Sequence, residues 1–193
     1  MRRLHAFATA AVALSLLVSA PAGRAVASRD PVRARHAMVA TTHALATEVG
    51  VDVLRRGGNA VDAAVAVAVA LAVVYPVAGN LGGGGFMLVH LAGRDETVAI
   101  DYRETAPAAA HADMFLDASG AADPRKSTDS GLAVGVPGPV AGLALAHERH
   151  GSGLFPLAQL IAPALALARD GVRVADDLAD SLAGAEPRLR RWP

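Results

Sequence analysis

The sequence of 193 residues contains no cysteine. Disulfide bonds, thiol chemistry and cysteine-based metal sites are therefore excluded, and the fold must be stabilised by packing. Aromatic residues make up only 4% of the chain, and 18 basic side chains balance 18 acidic ones. With no basic surplus and few rings for base stacking, the composition does not predict a nucleic-acid partner.

The chain begins with the features of an export signal. Two arginines precede the apolar run AFATAAVALSLLVSA, and AVA at residues 25–27 matches the small-residue rule for cleavage. We therefore expect residues 1–27 to be a signal peptide, residues 28–37 a flexible leader, and the mature protein to be periplasmic or secreted. The arginine pair leaves both the general and the twin-arginine route open. The apolar run is shorter than the ~20 residues that span a bilayer, so no membrane association is expected after cleavage.

The full sequence is 53% hydrophobic, and the part that follows the predicted leader has a mixed pattern of helices and strands. The segment AVDAAVAVAVALAVVYP alternates valine with alanine as a strand does, but its length, its alanine content and its stop before Pro76 favour a helix capped by Asn59. The other predictions are helices over 43–58, 139–151 and 156–171 and from 176, a hairpin of strands over 86–93 and 96–102, and short strands at 37–42 and 131–138.

The glycine run GNLGGGGF occupies residues 79–86, between the predicted apolar helix and the first strand of the hairpin. This order is the reverse of the dinucleotide fingerprint, in which a strand precedes the glycines and a helix follows them. Phe86 and Met87 stand where a phosphate loop requires lysine and then serine or threonine. The run therefore predicts a positive-φ turn and close packing, with no nucleotide site.

Two other groups of polar residues give no strong prediction of a site. His147 and His150 are three residues apart near a predicted helix C-terminus, which is more typical of a solvated helix end than of a metal site. No serine lies in a GxSxG elbow, so a serine hydrolase of that type is not expected. We predict no metal site.

The stretch DYRETAP, residues 101–107, is more informative because Arg103 and Glu104 directly follow the second strand of the hairpin. An arginine at a strand end can place its rigid fork on a carboxylate ligand through two parallel hydrogen bonds. The alternative is a local ion pair with Asp101 or Glu104, which the side-chain chemistry alone favours.

Several motifs in fixed order resemble the large subunit of gamma-glutamyltransferases. The most specific are GGNAVDAAVA at 57–66, GNLGGGGF at 79–86 and DYRETAP at 101–107, followed by GLAVGVPGPVAGLALAHERHG and PALALARDGVRV. The resemblance runs from about Met38 to at least Asp180, which is nearly the whole chain after the predicted leader.

This resemblance implies an α+β chain that forms the N-terminal part of a four-layer αββα N-terminal-nucleophile hydrolase fold. In the family a precursor cuts itself, and the new N-terminal threonine of the small subunit becomes the nucleophile. Its hydroxyl attacks a gamma-glutamyl amide such as glutathione, its own α-amine serves as base, and the acyl group passes to water or an acceptor amine. The resemblance implies no organic cofactor and no catalytic metal.

The resemblance also implies a role for Arg103, whose counterpart in the motif binds the α-carboxylate of the gamma-glutamyl group. Glu104 is expected to have a supporting role. Thr41, Thr42 and His43 look like the opening of the small subunit, but they precede the large-subunit motifs, so Thr41 is not expected to be the nucleophile. The resemblance therefore places no catalytic residue in this chain.

We expect residues 38–193 to be a partial large-subunit domain whose partner is a small subunit from the same precursor. On this interpretation the 193 residues are an N-terminal fragment, inactive and poorly soluble alone. Three alternatives stay open: an acylase of beta-lactam side chains or a polyglutamate-processing relative, a non-catalytic exported protein that binds ligands through Arg103, and an inert gene remnant.

Overall fold

The computed structural model describes residues 31–191. The predicted signal peptide and the first three residues of the predicted leader lie outside them. Residues 31–37 of the leader contain no helix or strand. From His36 onward the described residues form one compact unit, in which helices cover one face of a two-stranded sheet.

Two consecutive helices begin the compact unit, as predicted. Helix α1 spans Ala44–Arg55 and helix α2 spans Ala60–Val74. Gly57, with φ of +93°, lies in the turn between them. The side chain of Asn59 accepts hydrogen bonds from the amides of residues 61 and 62, and the Asp62 carboxylate accepts one from the Asn59 amide at 3.0 Å. This reciprocal capping box fixes the start of α2.

Helix α2 is the centre of the core. It is buried on several sides, which explains why its apolar residues show no helical stripe and why the valine–alanine alternation resembles a strand. One hydrophobic cluster joins it to the hairpin and to the later helices, and a second cluster joins it to α1. Its buried residues are Val61, Asp62, Ala63, Val65, Ala66, Val67, Ala70 and Val74.

The predicted hairpin is confirmed, with strand β1 at Phe86–Leu91 and strand β2 at Glu96–Asp101. The strands are antiparallel, and Phe86 pairs with Asp101 while Leu91 pairs with Glu96. Val89 and Ile100 are buried on the face that packs against the helices. On the opposite face the side chains are open to solvent, and Phe86 is 63% and Leu88 is 75% exposed.

The second half of the described chain is mainly helical. Helix α3 spans Pro124–Thr128, α4 spans Pro139–His150, α5 spans Leu157–Asp170 and α6 spans Asp176–Leu189. Within residues 31–191, no helix has both the length and the apolar character that crossing a bilayer requires.

Neither of the two short strands predicted outside the hairpin forms. Residues 37–42 find no partner strand within the described part of the chain, and a strand exists only through pairing. In the segment 131–138, residues Gly131–Ala133 form a 3-10 turn, and pairing is limited to one bridge between Thr105 and Val136. Glycine and proline at 135, 137 and 138 prevent a longer ladder.

Candidate functional site

Arg103 lies two residues after the end of β2, in a short irregular segment that ends at the Thr105 bridge. Its backbone amide donates a hydrogen bond to the Asp101 carboxylate at 3.0 Å. Its side chain is 66% exposed, and Nε lies 3.6 Å from Oε1 of Glu104, which is 38% exposed. An exposed pair at this distance contributes little. The predicted ion pair with Glu104 therefore exists, but it leaves the guanidinium donors available to a ligand.

The glycine run packs against this arginine segment. A Cβ added at Gly84 would overlap the Glu104 backbone amide and stand 2.7 Å from the Arg103 Cα, closer than real Cβ atoms approach. A Cβ at Gly82 would meet nothing within 4 Å. The predicted close packing is therefore confirmed at Gly84, and it is found also at Gly79, where an added Cβ would overlap the Leu71 carbonyl of α2.

The positive-φ turn predicted for the same run is wrong. Within residues 31–191, positive φ among glycines occurs at Gly57, Gly120, Gly153 and Gly171. The glycines of the run have no positive φ, so close approach by a neighbouring backbone is what requires glycine there.

Three loops are joined by backbone hydrogen bonds around Arg103; we call residues 82–85, 101–105 and 135–138 the arginine-site loops. The amide of Thr105 donates to the carbonyl of Val136 at 3.3 Å, and the reverse bond is 2.9 Å. The amide of Gly138 donates to the carbonyl of Gly83 at 3.0 Å. These bonds fix the backbone that carries Arg103 while its side chain stays exposed.

Tyr102 is the half-buried member of the arginine-site loops. Its amide donates to the Gly85 carbonyl at 3.0 Å, and its ring packs against Gly85 and Gly142. Its hydroxyl makes a long hydrogen bond of 3.5 Å to the Phe86 carbonyl. Burial raises the pKa of the Tyr102 hydroxyl above its ordinary value of 10.0, so the side chain is neutral at physiological pH.

The motif GGNAVDAAVA forms a buried polar network between the start of α2 and the end of α4. Asp62 is fully buried, and its carboxylate accepts hydrogen bonds from the amides of Asn59 and Ser152 at 3.0 and 3.1 Å. The Asn59 side chain donates to the His150 carbonyl at 2.7 Å. A buried carboxylate requires such partners, so this motif serves to join two helices.

The prediction that His147 and His150 lie at a solvated helix end is wrong. The His147 side chain is only 18% exposed, and its Nε2 donates to the Phe155 carbonyl at 2.8 Å and lies 4.0 Å from the Asp62 carboxylate. His150 is half-buried. Helix periodicity gave no sign that α2 would pack against this end of α4. Within residues 31–191 no three histidine, aspartate or glutamate side chains converge as metal ligands.

Thr41 takes part in the start of α1. Its hydroxyl donates to the His43 carbonyl at 2.8 Å and lies 2.8 Å from the Thr47 hydroxyl. The His43 ring in turn accepts a bond from the Leu45 amide at 3.3 Å. These local bonds account for the threonine and histidine of this stretch as helix-capping residues.

Sequence reasoning singled out Arg103 and Glu104 as candidate site residues but gave no role to Tyr102 or to the glycines around it. One signal was present, since Gly142 stands inside the apolar helix α4, where glycine costs about 1 kcal/mol relative to alanine. Such a glycine indicates close approach by another group. The sequence does not say which group approaches, because Tyr102 lies forty residues earlier in the chain.

Known proteins are similar to this chain over most of its length. A family model described as gamma-glutamyltranspeptidase matches residues 46–193. The glutathione hydrolase proenzyme of Escherichia coli (strain K12) is 58% identical over 152 residues, which are 79% of this chain and 26% of that protein. The chain thus spans about a quarter of the length of this relative.

Solved structures match the fold as well. The gamma-glutamyltranspeptidase of Helicobacter pylori has a TM-score of 0.80 and 45% identity, covering 84% of this chain and 46% of that one. A cephalosporin acylase from Bacillus halodurans has a TM-score of 0.63 and 30% identity, covering 84% of this chain and 31% of that one. These likenesses confirm the predicted incomplete α+β fold.

Proposed function

Because this chain belongs to the gamma-glutamyltranspeptidase family and corresponds to the N-terminal part of the large subunit, we propose that the whole protein acts on gamma-glutamyl amides. Glutathione and related amides are the donors, and the gamma-glutamyl group passes to water or to an acceptor amine. The acyl-enzyme forms on the N-terminal threonine of a small subunit cut from the same precursor. No step of this proposal passes through a metal or an organic cofactor.

The observation that carries the proposal is the exposed guanidinium of Arg103 on a fixed backbone. The arginine-site loops hold the backbone, and the loose 3.6 Å contact to Glu104 leaves the planar fork available. An α-carboxylate accepts two parallel hydrogen bonds from such a fork, which a point-charge lysine does not reproduce. Glu104 has a supporting role, restraining the guanidinium from one side.

Arg103 would act by binding a part of the donor that does not react. The α-carboxylate of a gamma-glutamyl amide is four bonds from the carbonyl that is attacked, so its capture sets where that carbonyl lies. Energy from such remote contacts orients the reacting group. The chain described here therefore supplies substrate positioning, and the small subunit supplies bond making and breaking.

We further propose that the second sheet of the fold, together with the small subunit, covers the open face of the hairpin. That face presents Phe86 and Leu88, and the nearby segment presents Val134 and Val136, which are 60% and 50% exposed. Soluble proteins rarely expose contiguous apolar patches of this kind. In a four-layer fold the second sheet would pack on this face, at about 10 Å from the first.

The test of the proposed activity is turnover by the purified full-length protein with two anilide donors. We expect release of p-nitroaniline from gamma-glutamyl-p-nitroanilide, and much slower release from 4-aminobutyryl-p-nitroanilide, which lacks only the α-carboxylate. Glutathione should compete with the first donor. Absence of turnover with both donors would contradict the proposal and favour a binding protein or a gene remnant.

The likeness to cephalosporin acylase supports a second candidate, hydrolysis of acyl side chains on a beta-lactam nucleus. Polyglutamate processing is a further variant of the first candidate. The 58% identity to a glutathione hydrolase favours the gamma-glutamyl amides. A faster reaction with a glutaryl-cephalosporin than with glutathione would reverse this order.

We also propose that the protein is exported to the periplasm or the medium. The support is the charged start, the apolar run and the AVA site at residues 25–27. N-terminal sequencing of the protein from its own source should begin at Ser28. A sequence that begins at Met1 in a cytoplasmic fraction would contradict this.

A further inference from the structure

We propose that Tyr102 is a positioning residue for Arg103, its ring held between Gly85 and Gly142 and its carbonyl held against Gly138, and this inference rests on the proposed function. We call these three residues the glycine slot. They belong to the glycine run, to the loop before α4 and to α4 itself. Three separate parts of the chain therefore contact one residue, Tyr102.

Each member of the glycine slot is in contact with Tyr102 at a distance that excludes a larger residue. A Cβ at Gly142 would stand 2.6 Å from the Tyr102 Cδ1, and a Cβ at Gly85 would stand 2.7 Å from Cε2. A Cβ at Gly138 would overlap the Tyr102 carbonyl. Real Cβ atoms do not approach within 3.0 Å, so Tyr102 keeps this place only while all three residues are glycine.

The peptide groups on both sides of Tyr102 are fixed by these contacts. Its amide donates to the Gly85 carbonyl at 3.0 Å, and its carbonyl, which belongs to the peptide bond with Arg103, lies against Gly138. Gly138 is itself bonded to the Gly83 carbonyl at 3.0 Å. The position of Tyr102 therefore sets the direction in which the Arg103 side chain projects from the backbone.

Few other contacts orient the Arg103 side chain. It is 66% exposed, and its contact with Glu104 is long. Because a ligand must meet the guanidinium fork within a few tenths of an ångström, orientation has to come from the backbone. A ring locked in a close-packed slot next to the arginine provides that orientation.

The ring of Tyr102 makes more of the close contacts than its hydroxyl does. Within the described residues, the hydroxyl has one polar partner, the Phe86 carbonyl, at the 3.5 Å limit of a hydrogen bond. The contacts of the glycine slot involve ring carbons, Cβ and the backbone, and the hydroxyl oxygen takes part only at Gly85, where an added Cβ would stand 3.0 Å from it. Phenylalanine should therefore serve in this position, and a small residue should not.

The experiment measures KM and kcat of the full-length protein for gamma-glutamyl-p-nitroanilide in five variants, one of which is Arg103→Ala, the reference for loss of the guanidinium. Tyr102→Ala and Gly142→Ala should each raise KM about tenfold or more while kcat stays within about threefold. Tyr102→Phe should stay within about twofold of the parent in both constants. Gly93→Ala lies in the 3-10 turn between β1 and β2, outside the arginine-site loops, and its added Cβ meets nothing within 4 Å; it is the matched control and should change neither constant.

The other outcomes separate failure of the positioning role from failure of the proposed function. If Arg103→Ala raises KM but Tyr102→Ala and Gly142→Ala do not, the positioning role is wrong and the proposed function stands. A fall in kcat at unchanged KM would show a merely structural role and would also overturn it. If Tyr102→Phe raises KM as much as Tyr102→Ala, the argument from the ring is wrong. If Arg103→Ala leaves KM unchanged, or the parent shows no turnover, the proposed function fails and this inference with it.

Discussion

Gly84 lies against Arg103 so closely that a side chain at position 84 would bring its Cβ to 2.7 Å from the arginine Cα. This contact gives the glycine run a purpose that its sequence alone does not reveal. A glycine run is often interpreted as a phosphate-binding loop. Here the glycines let the backbone of one loop pack against the backbone that carries Arg103. The glycine run is thus part of the candidate site, because it packs against the backbone of Arg103.

A comparison within the glycine run tests this relationship. Gly84→Ala should destabilise the protein by about 1–3 kcal/mol, because a Cβ there must displace the Glu104 backbone. Gly82→Ala should stay within about 0.5 kcal/mol, since a Cβ there meets nothing within 4 Å. Urea unfolding of the two variants and the parent measures both values. Equal effects would show that the run is a flexible linker.

Asp62 should be important for stability and unimportant for substrate affinity. Asp62→Asn keeps one oxygen that can accept from Asn59 and Ser152 as Oδ2 does, but it removes the charge that strengthens these bonds and puts an N–H2 group at Oδ1, to which the Ser152 amide also donates at 3.3 Å. The free energy of unfolding should therefore fall by about 1–3 kcal/mol. Asp52→Asn is the matched control, because its pair with Arg56 at 3.2 Å is exposed, and it should cost less than about 1 kcal/mol. Chemical denaturation gives both numbers. If the Asp62→Asn protein were as stable as the control, the hydrogen-bond network of Asp62 would not stabilise the fold as we expect.

Asp117 should make part of the stability depend on pH. Hydrogen bonds from the Ser119 side chain and from the amides of Ala121 and Ser119 lower the pKa of Asp117 below its ordinary value of 3.8. A carboxyl whose folded pKa is depressed stabilises the fold above its unfolded pKa, and that contribution is lost as pH falls through the folded value. Asp117→Asn should therefore be less stable than the parent at pH 7.

The same two proteins should converge in acid, where the parent carboxyl is protonated. Unfolding curves recorded from pH 7 down to about pH 2.5 would follow the convergence, which should begin near pH 4. A difference between the two proteins that is constant across this range would show that the aspartate acts without its charge.

The open face of the hairpin should control solubility of the 193-residue chain. Leu88 is 75% exposed, so Leu88→Thr should leave the free energy of unfolding within about 0.5 kcal/mol while reducing aggregation. Val89→Thr, on the buried face of the same strand, is the control and should cost at least about 1 kcal/mol. Light scattering and denaturation measure the two effects. No change in aggregation for Leu88→Thr would argue against a partner on this face.

Local signals in the sequence predicted much of the fold. Asn59 and Asp62 are three residues apart and cap their own helix, so the start of α2 is visible in the sequence. Pro76 marks its end in the same way, and the hairpin follows from its alternation. Such elements depend on neighbours in the chain, which sequence reasoning can evaluate.

Features that depend on distant contacts were missed. The His147 ring packs near Asp62, eighty-five residues earlier, and was wrongly expected in solvent. Tyr102 and Gly142 meet only because β2 and α4 pack together. Arg103 could be proposed from the sequence because its motif is recognisable, whereas the slot that fixes its neighbour is a property of the packed structure.

The most direct test of the account is the effect of Arg103→Ala in the full-length protein on two donors that differ in one carboxylate. Loss of a charge-assisted bidentate contact should raise KM for gamma-glutamyl-p-nitroanilide about 10- to 150-fold, with a smaller effect in Arg103→Lys. The kcat/KM for 4-aminobutyryl-p-nitroanilide should stay within about threefold of the parent. An equal loss with both donors, or no loss with the first, would show that Arg103 does not bind the α-carboxylate and would contradict the account.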